Sequence, residues 1–337
     1  MWYEGDILDH IVISHRIRLA RNLVNYKFPV KMNKQEASSV IETIKLKLSQ
    51  LTNYGFSLIE LETISDIEKQ KLVETHLISP LLSQIHLPTM VIYNKERDIS
   101  IMINEEDHIR IQCMQGGQDI QKTWEVASKL DDEIARLLDY AFHAEYGYMT
   151  SCITNVGTGL RASFMVHLPM LSKTGHISKI FESLQKLGIQ IRGMYGEGTK
   201  ALGDIYQISN QLTLGRSEAD LIAIVKNVTH NLVEKEAYIR SNLSDTTQRA
   251  LINKLYKSYG ILKYARELPV EDAMELLSDV KLGFEMGIYD FNKPSHNLYE
   301  MMLMCQEGVV LSSSQNLKES SPLNILRAEC IRKYLAV

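Results

Sequence analysis

The 337-residue chain has four cysteines, Cys113, Cys152, Cys305 and Cys330, and no two of them stand in a CxxC spacing. That scarcity argues against a disulfide framework and against a cysteine zinc site, and leaves reduced thiols. No stretch approaches the ~18 consecutive apolar residues of a transmembrane helix. The first residues, Met1-Trp2-Tyr3-Glu4-Gly5-Asp6, carry neither the positive nor the apolar region of a signal peptide, so a cytoplasmic protein is expected. There is no excess of positive charge: the net charge is −4 and the pI about 6.2, which gives no reason to expect a nucleic-acid or membrane surface. HExxH, EF-hand and Walker A motifs are missing, as is the glycine-rich and catalytic-loop set of protein kinases. Internal repeats and low-complexity tracts are missing too.

What is present is an ordinary globular composition, 45% apolar and 23% charged, in a chain long enough for a sizeable core. Alternating or β-branched runs predict strands at Ile11–Ile13, Phe56–Glu62, Met90–Tyr93, Ile99–Ile103, Ile109–Met114, Ala162–Leu168, Ile189–Met194 and Ile205–Thr213. Helices do not separate nearly every pair, as parallel βαβ units would need, so the pattern predicts an α+β fold with a mainly antiparallel sheet. Asn33 with Glu36 reads as a capping box before a helical stripe from Ala37 to Leu51. Further core stripes run from Trp124 to Ala141, from Ile177 to Leu187 with Gly188 as C-cap, and from Leu221 to Leu232 behind Ser217. From about Ser244 only helical periods remain, with a polar loop at Ser312–Ser321. The expected division is a catalytic domain over 1–243 and a helical domain over 244–337.

The run Asn104-Glu105-Glu106-Asp107-His108-Ile109-Arg110 stands out because three adjacent carboxylates repel one another unless cations offset them. A carboxylate receives a guanidinium through two parallel hydrogen bonds, so a glutamate pair at a strand end suits a guanidino ligand or a metal. Metal is the weaker option, because neighbours on an extended chain alternate faces and Glu105, Glu106, Asp107 and His108 cannot easily all meet one ion. Arginines stand at strand-like or loop positions: Arg16 and Arg18 two apart, Arg110 after the glutamates, Arg161 opening a strand and Arg192 ending one. Thr154-Asn155-Val156-Gly157-Thr158-Gly159 offers backbone N–H groups to an anion just before Arg161. Without a Walker A motif, any ATP phosphates must be held by arginines.

Four segments in order carry a resemblance: Ser14-His15-Arg16-Ile17-Arg18-Leu19-Ala20-Arg21-Asn22, the run from Asn104 to Arg110, Cys152-Ile153-Thr154-Asn155-Val156-Gly157-Thr158-Gly159-Leu160-Arg161-Ala162-Ser163, and Arg192-Gly193-Met194-Tyr195-Gly196-Glu197. They resemble the catalytic domain of phosphagen (guanidino) kinases. With His76-Leu77-Ile78-Ser79-Pro80 and Tyr206-Gln207-Ile208-Ser209-Asn210-Gln211 they resemble bacterial protein arginine kinases more closely. The resemblance implies a glutamine-synthetase-like antiparallel sheet of about eight strands flanked by helices, and ATP with Mg²⁺ held mainly by ATP and water. It implies that Arg16, Arg18, Arg110, Arg161 and Arg192 clamp the nucleotide phosphates, with His76 on the nucleotide side. Ser14, His15, Ile17, Ala162, Ser163, Phe164, Met165, Gly193, Met194, Tyr195 and Gly196 belong to the implied ATP-contacting segments. Glu106 matches the catalytic glutamate, Glu197 a second guanidinium-binding glutamate and Cys152 the reactive cysteine. Glu105 is placed with them at the substrate.

The chain departs from the pattern in three places. The first arginine motif begins at Ser14, where small-substrate phosphagen kinases have a preceding helical domain, and an open pocket suits an arginine already in a polypeptide. Ile153 replaces the usual proline after the cysteine. Leu323-Asn324-Ile325-Leu326-Arg327-Ala328 stands where many relatives carry Arg-Asp-x-x-Arg-Ala, a phosphoarginine-binding tail motif, so activity without phosphoarginine feedback is expected. The resemblance implies arginine-bearing protein substrates, marked for Clp-type degradation in bacterial stress and protein quality control. It implies three partners: a zinc-binding activator protein, a heat-shock repressor and a Clp unfoldase–protease. A homodimer through the Met-rich helical tail (Met301, Met302, Met304) is also expected. The alternatives are a kinase for a free guanidino metabolite and an inactive arginine-binding adaptor.

Overall fold

The structure is a computed structural model and describes residues 2, 10–175, 177–194, 201–291, 297–313 and 322–335. Its strands are β1 (Val12–Arg21), β2 (Ser57–Glu60), β3 (Met90–Tyr93), β4 (Ile99–Ile103), β5 (Ile109–Gly116), β6 (Phe142–His143), β7 (Gly147–Tyr148), β8 (Leu160–His167), β9 (Ile189–Gly193) and β10 (Ile205–Asn210). Its helices are α1 (Lys34–Leu48), α2 (Asp66–Glu74), α3 (Pro80–Gln84), α4 (Ile120–Ala135), α5 (Pro169–Lys173), α6 (Ile177–Gln185), α7 (Glu218–Ser241), α8 (Asp245–Tyr264), α9 (Val270–Glu285), α10 (Leu298–Met304), α11 (Glu307–Ser313) and α12 (Leu323–Leu335).

Eight strands form one sheet in the order β2-β3-β4-β5-β1-β8-β10-β9, and β6 pairs with β7 in a small hairpin. The antiparallel registers run Glu60↔Met90, Ile92↔Ile101 and Ile101↔Ile111 across the first four strands. This is the sheet that the alternating runs predict. The first strand is much longer than Ile11–Ile13 and continues through the arginines to Arg21. Arg16 and Arg18 occupy only one face, while Ile13, Ile17 and Leu19 keep the other fully buried.

Helix starts follow local chemistry. Asn33 and Glu36 form the expected capping box on α1, and Ser65 with Glu68 forms another on α2. Gly188 has φ +77 after α6, as a helix-ending glycine requires. The stripe from Trp124 to Ala141 stops short, because α4 ends at Ala135. Helix α6 buries none of its residues fully, so its stripe is a half-buried face rather than core.

The chain divides into two compact units. The first holds residues 15–164 and 209–227 with Trp2; in it Leu61, Leu72, Leu77, Ile78, Leu82, Val91 and Met102 form a core beneath α2 and α3. The second holds residues 10–14 and the described parts of 165–208 and 228–337. There α8 packs on α9, and Met170, Leu251, Leu255 and Leu282 cluster together. Buried charges in this unit are matched. Glu236 accepts the backbone N–H groups of Met170 (3.0 Å) and Leu171 (2.8 Å), capping α5, and Glu285 takes Lys281 Nζ at 2.5 Å and Arg240 Nη1 at 2.6 Å.

The Met-rich tail face is not open. Met301 and Met302 are 1% and 0% exposed, filled by packing of α10 against α9, α11 and α12 within the unit itself, and Met304 is half-buried. Those two side chains are therefore not a free dimerisation surface. No helix among the described residues is long and apolar enough to cross a membrane.

Candidate active site

The first unit gathers four of the five arginines. Period-2 alternation sends Arg16 and Arg18 to one face of β1, Arg110 and Gln112 to one face of β5, and Arg161 and Ser163 to one face of β8. These strands are consecutive neighbours in the sheet order β5-β1-β8. Side-chain contacts tie them: Arg16 Nη1 donates to Gln112 Oε1 at 3.4 Å, and Ser163 Oγ to the Arg16 carbonyl at 3.5 Å. Arg161 Nε and Nη2 donate to Ser209 Oγ at 3.3 and 3.0 Å.

Burial, then the positive charges of Arg16, Arg161 and Arg110, push Arg18 well below the usual arginine range, and only Glu105 among the strongest influences opposes them. Its Nε is buried and has no hydrogen-bond partner among the described residues. Like charges packed this way, with an unmatched donor, fit a polyanion such as a nucleotide triphosphate.

His15, Ile17, Ala162 and Phe164 lie on the opposite faces of their strands. His15 is buried, with Nδ1 2.8 Å from the Gly117 carbonyl and Nε2 2.8 Å from Thr123 Oγ1 on α4, and its ring stands 6.0 Å from Phe164. Their side chains are committed to the helix-covered side. Ser14 is fully buried, its Oγ has no partner among the described residues, and it shares the arginine face of β1.

In the second unit, Met165 and Met194 surround the buried Tyr299 hydroxyl, which donates to Met165 Sδ at 3.0 Å and Met194 Sδ at 3.7 Å. Arg192 lies half-buried on β9, next to Gly193 at the strand's end. Tyr195, Gly196 and Glu197 lie outside the described residues.

His76 sits beside the arginines with φ +60, a left-handed backbone that costs a residue with a β-carbon about 1–2 kcal/mol. Gln112 Nε2 steadies it by donating to its carbonyl at 2.7 Å, and the Trp2 ring lies 5.8 Å from its imidazole. Burial and the Arg16 charge push its pKa down to about 3, so the ring is neutral.

The acidic run is the tight connection from β4 to β5, closed by the Asn104 N–H donating to the His108 carbonyl at 3.0 Å. Asn104 has φ +59, a conformation asparagine tolerates better than most, and its Nδ2 donates to the carbonyls of Ala37 (2.9 Å) and Pro88 (3.1 Å). His108 is a pin rather than a ligand. Its Nδ1 accepts the Leu23 N–H at 3.0 Å, which fixes the tautomer in which Nε2–H donates to the Lys27 carbonyl at 2.9 Å. Asp107 Oδ1 accepts Asn22 Nδ2 at 2.6 Å and the Ser151 N–H at 2.7 Å. Among the described residues no group of three or more His, Cys, Asp or Glu could hold a metal ion.

The two glutamates part company. The Glu105 side chain is 0% exposed: Arg110 Nη1 donates to its Oε1 at 2.5 Å, Ser79 Oγ donates to the same oxygen, and the Glu106 N–H reaches Oε2 at 3.2 Å. Expected at the guanidinium, it is instead turned inward, because adjacent residues on this connection face opposite ways. Glu106 keeps the open side, with Arg110 Nη2 3.4 Å from Oε2. Burial raises its pKa, helped by Asp107 and Glu105, while Arg110 and a hydrogen bond with Cys152 pull it down. Cys152 is thus at Glu106, half-buried, with Sγ 3.0 Å from Thr154 Oγ1.

The loop carrying Cys152 is braced by Arg21. Its guanidinium is paired with Asp131 (2.7 Å), lies 3.5 Å over the Tyr148 ring and donates to the Thr158 carbonyl at 2.9 Å. A β-carbon at Gly159, φ +64, would meet Arg21 Nη1 at 2.5 Å, which is why glycine stands there. Sequence reasoning missed Gln112, Ser209, Asn22 and Asp131 as site supports. Alternation from Arg110 points to Gln112, Asn22 and Ser209 stand within the motif segments without an assigned role, and Asp131 has no local signal.

An antiparallel sheet that lines up arginines beside a carboxylate–thiol pair defines the guanidino kinase class. Among solved structures, the sheet is similar to that of lombricine kinase (TM-score 0.62, 27% identity, 72% of this chain and 70% of that one). It is similar also to the duplicated taurocyamine kinase from Schistosoma mansoni (TM-score 0.62, 27% identity, 75% of this chain and 38% of that one). Residues 39–239, more than half the chain, match the ATP:guanido phosphotransferase C-terminal catalytic domain, and residues 248–337 match the protein-arginine kinase McsB C-terminal domain. The protein-arginine kinase of Bacillus licheniformis is 42% identical over 99% of this chain and 92% of its own length; that of Bacillus subtilis strain 168 is 41% identical over 96% and 90%. The chain belongs to the protein-arginine kinase family, and it is an ATP-using phosphotransferase.

Proposed function

We propose that the enzyme transfers the γ-phosphoryl group of ATP to a guanidino nitrogen of arginine residues in proteins. The observation that carries this reading is the Glu106–Cys152 pair opening beside the arginine cluster of β5, β1 and β8. Phosphoryl transfer spreads negative charge over the equatorial oxygens, so catalysis is positioning and electrostatic stabilisation. Arg16, Arg18, Arg110 and Arg161 hold the phosphates, the resemblance alone assigns the same role to Arg192, and Arg18 Nε is a donor without an acceptor among the described residues. Mg²⁺ would be held mainly by ATP oxygens and water and would add positive charge at the transferring group.

The substrate guanidinium has a pKa above ~12, so no carboxylate removes its proton in the ground state. Glu106 aligns the nucleophilic nitrogen and takes its proton as the N–P bond forms and the bond to the β-phosphate oxygen breaks, releasing ADP. The raised pKa of Glu106 makes it a better proton acceptor. Cys152 places a second polar group against the guanidinium, and the resemblance alone assigns a second guanidinium-binding carboxylate to Glu197, which lies outside the described residues. Glu105 grips Arg110 instead of the substrate.

The family relationship supports a cytoplasmic role in bacterial stress and protein quality control. The partners proposed are arginine-bearing substrates marked for a Clp unfoldase–protease, a zinc-binding activator and a heat-shock repressor, with homodimerisation through helical-domain surfaces other than the buried Met301 and Met302. Activity without phosphoarginine feedback is proposed as well. Arg327 is buried, donating to the carbonyls of Cys305 (2.7 Å) and Leu268 (2.9 Å) and to Asn324 Oδ1 (2.8 Å).

The test offers labelled ATP and Mg²⁺ with free arginine in one reaction and an arginine-rich protein in another. Acid-labile, base-stable label on the protein alone supports the reading. Label on free arginine alone would make the enzyme a metabolite kinase, and no label in either would make it an adaptor.

A further inference from the structure

Large apolar side chains left in water beside a polar active site call for an occupant. Ile153, directly after Cys152, is 83% exposed. Its side chain takes little part in the packing of its own turn. Two neighbouring loops add to it. Thr213 Oγ1 donates to the carbonyls of Thr154 (3.1 Å) and Val156 (2.5 Å), anchoring the loop that carries Leu212 (59% exposed) and Leu214 (54%) against the Cys152 turn. On its other side the turn pairs with the β6–β7 hairpin: the Tyr148 N–H donates to the Gly157 carbonyl at 2.8 Å, and the Gly157 N–H returns to Tyr148 at 3.3 Å. Phe142 packs edge-on to Tyr148 at 5.2 Å yet remains 61% exposed. Three loops of one unit, joined by hydrogen bonds at the Cys152 turn, thus each carry open apolar side chains.

We propose that Ile153, Leu212, Leu214 and Phe142 form an apolar rim that docks the polypeptide carrying the target arginine, selecting arginines flanked by large apolar residues. The inference rests on the kinase reading above. An arginine side chain reaches roughly 7 Å from Cα to its terminal nitrogens, by ordinary bond lengths. A guanidinium at Glu106 and Cys152 therefore holds its own backbone within that distance of the pair, where Ile153 is the next residue along the chain. A free guanidino metabolite has no flanking chain to lay on the rim. Burying an exposed leucine or isoleucine is favourable enough to change affinity severalfold per residue. The rim therefore acts on polypeptide binding and not on the phosphoryl transfer itself.

The experiment compares the full chain with Ile153→Ser, Leu214→Ser and the double variant. The substrates are a peptide with leucine or phenylalanine on both sides of one arginine, the same peptide with serines there, and arginine amide. The rim predicts that KM for the apolar peptide rises about fivefold per substitution and roughly twentyfold or more in the double variant. KM for ATP, and kcat/KM for the serine peptide and arginine amide, stay within about twofold. Equal losses on all three substrates, or an unchanged KM for the apolar peptide, would overturn the proposal. So would a change of oligomeric state with KM unchanged, which would make the rim a contact between copies. If the unsubstituted chain phosphorylates no peptide, the kinase reading itself falls and the rim with it; normal phosphorylation without apolar preference removes only the rim.

Discussion

Asp107 Oδ1 accepts the backbone N–H of Ser151 at 2.7 Å. The residue after Glu106 thereby holds the residue before Cys152, and one carboxylate oxygen sets the spacing of the two groups proposed to meet the guanidinium. Asn22 Nδ2 completes the clamp at 2.6 Å and also donates to the Met149 carbonyl at 3.1 Å. Asp107→Ala leaves the Ser151 N–H and the Asn22 amide without this acceptor. Unfolding free energy should fall by about 1–3 kcal/mol, and kcat at least tenfold, with KM for ATP nearly unchanged. A kcat equal to the unsubstituted enzyme would show that the clamp does not position the pair.

The inward and outward glutamates should separate kinetically. Glu106→Gln removes the proton acceptor and should abolish transfer while ATP binding, followed by calorimetry, survives. Glu105→Gln loosens the hold on Arg110 and should appear chiefly as a higher KM for ATP with residual turnover. Matching phenotypes in the two variants would contradict their different placement.

Arg18 has a buried donor unmatched among the described residues and three cationic neighbours, so its neutral replacement should relieve repulsion in the free enzyme. Arg18→Met should raise the melting temperature of the nucleotide-free protein and weaken ATP binding tenfold or more. Thermal scans with and without nucleotide check both signs at once. A destabilised free enzyme would mean that the repulsion is already offset.

Acid should destabilise the fold before carboxylates titrate broadly. His76 and His108 have pKa values lowered to about 3 and about 4, in both cases mainly by burial, against 6.5 for free histidine. Below pH 6.5 the unfolded chain binds these protons and the folded chain does not, so stability falls as the pH drops from 6.5 toward 4. Each histidine contributes a loss of about 3 kcal/mol over that range. Glu106 and Asp107, both raised mainly by burial, bind protons first in the folded state and offset part of the loss at the acidic end. His108→Gln should flatten the urea-midpoint profile across this window; an unchanged slope would exclude His108 as a source.

Free phosphoarginine or a phosphoarginine peptide should leave the rate unchanged within about twofold in a peptide-phosphorylation assay. Arg327 already spends its donors on Cys305, Leu268 and Asn324. Activation by the peptide, lost in Arg327→Ala, would refute this.

Much of this was legible from the residues alone, because it depends on local periodicity. Alternation marked the eight strands of the sheet, and the same alternation put Arg16 and Arg18 on one face. The Asn33–Glu36 capping box and the Gly188 helix end are likewise satisfied within a few positions. The motif order pointed to guanidino chemistry before any contact was known. What needed the tertiary structure was the partner that takes up each charge. Ser79 and Glu105 are 26 positions apart, Asp107 and Ser151 are 44, and Arg21 and Asp131 are 110. Such distant pairs decided that Glu105 turns in and Glu106 out, that His108 and Asp107 are pins, and that Arg327 is spent on carbonyls. Met301 and Met302 read as an open apolar face in the sequence and are buried in the chain, since helical period shows that a face is apolar but not what covers it.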